Sequence, residues 1–537
     1  MIRRIKKGEK WGLQIFITYF IFFLFFITPS GQNIHAESIS QPRVRTGGDL
    51  IVRVPNDLYS LDSQLAITAV EKLVIRNVQE GLLDYDPNGQ IVPILATSLP
   101  QPIAGNKNKW IIPLKRGIFF HNGTELEAND LVFTFQRLKN SSLPIPAREM
   151  FERLISLEAI DRYRVELTAD GPCPNLCDLL TRTELFPLSA KAVQKYAHNY
   201  GKVILIGTGP FRFQSRIRNK QITLIKNWQY RDLPLPYLNS IFFKFAHKSF
   251  PLVKSLRSLR AHVAFQITPD EARVLEKNRW IRLYHSPGQQ LVQIYLNADG
   301  PPFNKKSIRL ALAHGIDKVG LMEKIFKGFA TPADSCIPPW SWAHQMEEEP
   351  IEFDPQKAQF ILKMEGYDFE NPLQIPLLVN KEPIYLEMAQ YIKDSFADIP
   401  ISIEIISLPK AELFNYIYGR NGKIRGDFQA ALENWEDLRY GRDPRQFTAE
   451  LYASSSIFNK VRLSDMVLDN IFEEINCVEN FLAQKELYYT AEKRIINSVS
   501  TVYLCFPHNV HAARSRVKNL QVNCLNEISF KEVWLLK

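Results

Sequence analysis

Twenty-eight residues, Trp110 to Arg137, constrain the fold more than any other stretch of the chain. They read WIIPLKRGIFFHNGTELEANDLVFTFQR. Trp110 to Lys115 is bulky and apolar, which predicts a short strand, and Pro113 predicts that it lies at an edge. Arg116-Gly117 is a turn, and Ile118-Phe119-Phe120 a second short apolar run. Asn122-Gly123 is a tight-turn dipeptide, because both residue types tolerate positive φ. Leu131, Phe135 and Leu138 recur at helical spacing, so a helix is predicted from about Ala128, with Asp130 in its first turn where the helix dipole favours an acid.

The order strand, turn, strand, turn, helix is not the whole content of the stretch. Its wording resembles the signature of the family 5 extracellular solute-binding proteins, the oligopeptide- and dipeptide-binding receptors of ABC importers. Leu114, Gly117, Ile118, Phe120, His121, Asn122, Gly123, Thr124, Leu126, Ala128, Asp130, Leu131 and Phe133 fit that pattern. One departure is Glu127, where the family has Thr or Asn as helix cap; Glu caps weakly. Further passages resemble the same family. They are Glu80-Gly81-Leu82 with Tyr85 and Gly89, Gly207-Thr208-Gly209-Pro210-Phe211, Asn227 to Tyr230 with Leu238, Pro302-Phe303 with Arg309 and Asp317, and Phe353 to Tyr367. The resemblance covers residues 47 to about 450.

Length and composition agree with an ordinary multi-domain globular chain. A chain of 537 residues is too long for one core, and 45% hydrophobic with 23% charged residues is a normal globular balance. Residues 1–36 read as a secretory leader: Arg3, Arg4, Lys6, Lys7 and Lys10, then an apolar run from Ile15 to Ile27, then a cleavage point near Ala36. A retained membrane anchor is the alternative, and the apolar run falls short of the roughly 20 residues a span needs. No Cys lies at the end of the run, so no lipid anchor is expected, and the localisation read is periplasmic. Without the leader's five basic residues and one acidic residue, the 66 Lys+Arg and 57 Asp+Glu leave a net charge of about +5. No arginine-rich block or basic–aromatic stripe follows a phosphate backbone, so nucleic acid is not an expected partner.

Catalytic and metal chemistry find little support. There is no GxSxG, HExxH or Walker loop, and the chain is read as not an enzyme. Gly207 and Gly209 do not make a phosphate cradle, because Pro210 lacks a donor. His508 and His511 stand three apart with no CxxC nearby, and His314 has no Ser or Cys partner; all three are read as structural. Cys173 and Cys177 could close a small disulfide loop or remain free thiols. No cofactor is expected.

The resemblance implies an α/β, two-lobed periplasmic binding protein fold of class II type with an extra inserted subdomain. Lobe one is expected over 45–81, 206–287 and 508–537, the inserted subdomain over 82–205, and lobe two over 288–507. It further implies a monomeric receptor that captures oligopeptides between the lobes and delivers them to the membrane subunits of an ABC permease. The same fold also carries nickel chelates, haem, glutathione or sugars, and an enzyme or folding helper detached from transport is a third reading. Peptide-binding relatives bind the ligand's ammonium through an Asp three residues after a Trp. Here Asp437 comes two after Trp435, with two extra residues before Asp443-Pro444. The resemblance thus implies Trp435 packing on ligand and Asp437 anchoring its amine. Glu436, Asp437 and Arg439 also read as solvated loop charges.

Overall fold

Leu50, Val52 and Val54 alternate along the strand Asp49–Val54, and all three are fully buried. One face of a strand is enough to fix its register against a core. This strand runs parallel to both Ser240–Phe245 and Val263–Ile267. The computed structural model describes residues 44–536, apart from 141, 146–147, 172, 174, 247–251, 346–348, 419–427, 436–442, 479 and 524–525. The expected leader and its cleavage point at Ala36 lie outside the described residues.

Among the described residues a 12-stranded sheet forms the spine. Its order runs from Ile401–Leu408 through Leu373–Asn380, Ala430–Trp435 and Leu291–Leu296 to Thr501–Arg514, then on through Val263–Ile267, Asp49–Val54, Ser240–Phe245, Gln221–Lys226 and Phe211–Ile217. Thr501–Arg514 is the shared member. Its first residues pair with Leu291–Leu296, and its last with Val263–Ile267 and Ile281–Pro287. The two ends of the sheet are therefore joined through one 14-residue strand and through the short link from Pro287 to Leu291. Where they pass, Gly288 N donates to Pro507 O at 2.9 Å, and a Cβ on Gly288 would lie 2.6 Å from that oxygen. Only glycine permits that approach.

One end of this sheet is a strand–helix–strand unit. Leu373–Asn380 and Ile401–Leu408 are parallel and joined by the helix Pro383–Ser395, which buries Tyr385, Met388, Ala389 and Ile392 at helical spacing. The helix Pro355–Met364 starts with the Asp354 carboxylate accepting from Lys357 N at 2.9 Å, and Gly366 follows its end at φ 89°. Arg309, on the helix Lys306–His314, donates to the carbonyls of Phe303 and Ser498 and so ties that helix to the turn before the crossing strand.

A separate four-stranded sheet holds Gln101–Ile103, Asn106–Pro113, Arg164–Ala169 and Leu154–Asp161 in that order. The helix Ala128–Asn140 belongs to the same apolar cluster, which runs from Leu82 to Ile206. Here the sequence reading needs correcting. The strand containing Trp110 is paired on both sides, not at an edge; Pro113 is its last residue, where a missing N–H costs least. Ile118 to Phe120 form only an isolated bridge, Phe119 to Glu125. Before the helix that follows, the Asp130 carboxylate accepts from Glu127 N at 3.1 Å, while the Glu127 side chain turns to Arg162. The helix that begins at Ala69 stops at Ile75. Asn77 turns the chain there: its amide donates to Leu73 O, and its side-chain oxygen accepts from Phe530 N.

The recurring passages of the sequence meet at one joint. The Glu80 carboxylate accepts from Arg231 at 2.7 and 2.9 Å, from the Tyr230 hydroxyl at 2.8 Å and from the Thr208 hydroxyl at 3.0 Å. A Cβ on Gly207 would lie 2.1 Å from Val78 O, and one on Gly209 2.7 Å from it. The His121 ring bridges both glycines, accepting from Gly207 N and bonding Gly209 O at 2.9 Å. Cys173 and Cys177 are free thiols, as are Cys336, Cys477 and Cys505; Cys524 lies outside the described residues.

Candidate ligand-binding cleft

A cavity of about 460 Å³ opens beside the point where the two halves of the sheet join. Its floor is built by strand ends. Val263–Ile267 leaves register with the crossing strand between Ala264 and Ile267, and Gln266 sits in that irregularity at φ 53°. Such a bulge re-aims a side chain at the cost of local strain, and Gln266 thereby lines the cavity. Gln289, Gln290 and Asn509 line it from the hinge. One wall is the helix Ala69–Ile75, whose start is locked by a Thr68–Glu71 capping box. Buried Glu71 also accepts from Tyr59 N and Ser60 N, which holds the preceding loop to the same wall. Segment 181–184 forms another wall.

A second cavity of about 250 Å³ shares Tyr85, Asn175 and Asp178 with the first. Its other side is Trp342, Asp443, Arg445 and Tyr488, which pack with the opposite half of the sheet. Asn175 Nδ2 donates to Asp443 Oδ2 at 3.0 Å across it. The Asp443 carboxylate also accepts from Arg445 N, Nε and Nη2. The two cavities thus form one cleft with walls from both halves, amides at its base and charges along its sides. An extended ligand with main-chain donors and acceptors suits such a lining.

His511 supports this floor. Its Nδ1 accepts from Gln266 N at 3.0 Å, its Nε2 bonds Asn526 Oδ1 at 2.9 Å, and its ring stacks on Phe265 at 4.5 Å. Burial pushes its pKa down to about 4, against the pull of the Asn526 bond. A depressed histidine pKa means that the unfolded chain binds the proton first. Its contribution is therefore fully present above about pH 6.5 and lost as the pH falls toward 4. His511 alone should cost about 1 kcal/mol of folding stability at pH 5.5. NMR titration of the native ring should show no protonation above pH 5; a native midpoint near 6.5 would refute this.

Of the residues the sequence singled out, Trp435 is described and Asp437 lies outside the described residues. Trp435 ends the strand Ala430–Trp435 and is 92% buried. Its indole N–H donates to Gln446 O at 2.7 Å, and Phe458 meets its ring edge-on. The ring belongs to the apolar cluster behind the cleft and does not line either cavity. His314 bonds Glu352 O, and His508 stacks on His285 at the hinge. Sequence reasoning missed Gln266, Gln289, Asn509 and the helix wall. The one signal available was the glycine at 288, which marks the crossing.

Residues 90–458 match the model of the bacterial extracellular solute-binding proteins, family 5 middle. The glutathione-binding protein GsiB of Escherichia coli (strain K12) is 24% identical over 437 residues, covering 81% of this chain and 82% of that one. Among solved structures, DppA from Helicobacter pylori, an ABC transporter-associated periplasmic binding protein in complex with the peptide STSA, aligns with a TM-score of 0.72 at 24% identity. It covers 92% of this chain and 99% of its own. HbpA2 from Haemophilus parasuis aligns with a TM-score of 0.81 at 20% identity, covering 91% and 100%. Their shared architecture is the two-lobed periplasmic binding protein fold.

Proposed function

The chain belongs to the family 5 bacterial extracellular solute-binding proteins, and from that premise we propose that it captures an oligopeptide in the cleft and delivers it to an ABC permease. The observation that carries the reading is the two-walled cleft with Gln266, Gln289, Gln290 and Asn509 at its base. Such amides match peptide main chain, which offers a donor and an acceptor at every residue. The family and its structural neighbours are binding proteins, and no catalytic role is assigned. Glutathione is a second candidate ligand, favoured by the similarity to GsiB, and is itself a peptide-like molecule with free carboxylates. Native mass spectrometry of protein purified without denaturation would identify the retained ligand. A nickel chelate, haem or sugar would overturn the peptide reading.

The receptor is proposed to be a monomer, exported and cleaved near Ala36. Among the described residues no helix is long and apolar enough to cross a membrane. Lobe one is proposed as 45–81, 206–287 and 508–537, with 82–205 inserted and 288–507 as lobe two. Three largely separate apolar clusters support the division, although Phe186 and Leu205 of the insert pack into lobe one's cluster; the close passage of Gly288 and Pro507 supports it too. Limited proteolysis that released two sequential, uncrossed fragments would contradict it.

Asp437 is proposed as the anchor of the ligand's ammonium, two residues beyond the strand that Trp435 ends. A charge-assisted hydrogen bond is worth about 1.5–3 kcal/mol, so Asp437→Asn should weaken binding roughly 10- to 100-fold. N-acetylation of the peptide should cost the wild type as much, and the variant little more. Equal affinity of the wild type for free and acetylated peptide, by calorimetry, would remove Asp437 from the site.

A further inference from the structure

The charges along the larger cavity are almost all spoken for within the protein. Arg76 is held by Asp84 at 3.0 Å, by Glu527 at 2.7 Å and by the Thr181 carbonyl. Arg182 donates to Glu184 at 3.1 Å. Asp57 accepts from Arg216 and from the backbone N–H groups of Leu58 and Asn219. Asp178 accepts from the Tyr85 hydroxyl.

Lys72 differs. It lines the cavity from the middle of the helix Ala69–Ile75, and its ammonium makes no hydrogen bond or ion pair among the described residues. Four charged groups surround it: Arg182 and Arg76 disfavour its charge, while Glu184 and Glu527 favour it. Both acids are already engaged with arginines. Burial, more than any of these neighbours, pushes the pKa of Lys72 down. A desolvated ammonium without a counter-ion costs free energy that an incoming anion would return. The helix is held rigidly by its capping box, so the ammonium is presented from a fixed wall.

We propose that Lys72 is the anchor for a carboxylate of the bound ligand, the C-terminal carboxylate where that ligand is a peptide. The inference rests on the cleft being the peptide site and adds a direction to it. The acid end lies against the Ala69–Ile75 wall, and the rest of the ligand runs past Asn175 toward the opposite lobe. Among the described residues the other lining cations, Arg76 and Arg182, are each paired with a protein acid, so the site selects ligands that bring a free carboxylate to this wall.

The test uses the full mature chain with a pool of Ala-Xaa-Ala tripeptides, supplied as free acids and as C-terminal amides. Calorimetry or native mass spectrometry on the wild type should show the amides bound about 10-fold or more weakly than the acids. Lys72→Met should abolish that preference by losing affinity for the acids alone, and Lys72→Arg should restore it. Acids and amides bound equally well by the wild type would overturn the assignment while leaving the peptide receptor intact. A preference surviving in Lys72→Met would place the carboxylate elsewhere, with the same consequence. Amides of peptides with Asp or Glu at Xaa bound as tightly as the acids would move the contact from the C-terminus to a side-chain carboxylate and overturn the stated direction. Binding of no peptide by the wild type would overturn the receptor reading and this inference together.

Discussion

Glu80→Ala should cost this protein about 3 kcal/mol of folding stability, although Glu80 lies outside both cavities. One carboxylate there serves Arg231 twice, the Tyr230 hydroxyl and the Thr208 hydroxyl. Removing it strands a guanidinium beside an apolar joint, and an uncompensated buried charge costs about 3–5 kcal/mol. The low end applies because Arg231 retains some exposure and has Asp232 at 3.8 Å as a weak substitute. Glu80→Gln keeps one acceptor oxygen in place of two and loses the charge, so it should fall between Ala and wild type. Urea unfolding by circular dichroism measures all three. A Glu80→Ala midpoint equal to wild type would show that the joint is held by the Gly207 and Gly209 contacts alone.

Trp435→Ala carries the other large effect, about 3–5 kcal/mol, the usual cost of emptying a buried aromatic site. The ring is fully packed between the strand and Phe458, with the Lys460 ammonium 5.7 Å from it and the indole N–H on Gln446 O. Trp435→Phe should lose the indole donor but little packing, and so about 1–2 kcal/mol. The ligand-packing role that the sequence implied for Trp435 predicts a different pattern: near-normal stability in both variants, and weaker peptide binding. Measuring unfolding midpoint and peptide affinity on the same variants separates the two roles. Unchanged midpoints with reduced affinity would return Trp435 to the ligand.

Glu80 shows that a recognisable motif need not line the candidate cleft. The passages around Glu80, His121, Gly207 and Tyr230 are the most recognisable in the chain, yet what they encode is a joint. Segments far apart in sequence must meet there, and a Cβ on Gly207 would sit 2.1 Å from the Val78 carbonyl oxygen. A joint of that kind tolerates few residue types, so its wording can be read without a structure. The cleft floor is the reverse case. Glutamine and asparagine occur at many surface positions, and nothing local marks Gln266 or Asn509 as lining a cavity.

Periodicity and turn chemistry in the sequence determined the Asp49–Val54 strand, the parallel pair with its helix between 373 and 408, the helix capped by Asp354 and the helix from Ala128. These depend on contacts within a few residues, which a sequence carries explicitly. Tertiary structure alone decided three things: that the Trp110 strand is interior, that Asn77 ends the first helix through a bond to Phe530, and that Lys72 is the cavity cation with no hydrogen bond or ion pair among the described residues. Each turns on a neighbour brought in from elsewhere in the chain. Phe530 stands 453 positions from Asn77, and Glu527, which holds Arg76 at the lip of the cavity, comes from the same distant end. Whether a charge is paired is a property of three-dimensional neighbours, and no local pattern of residue types records it.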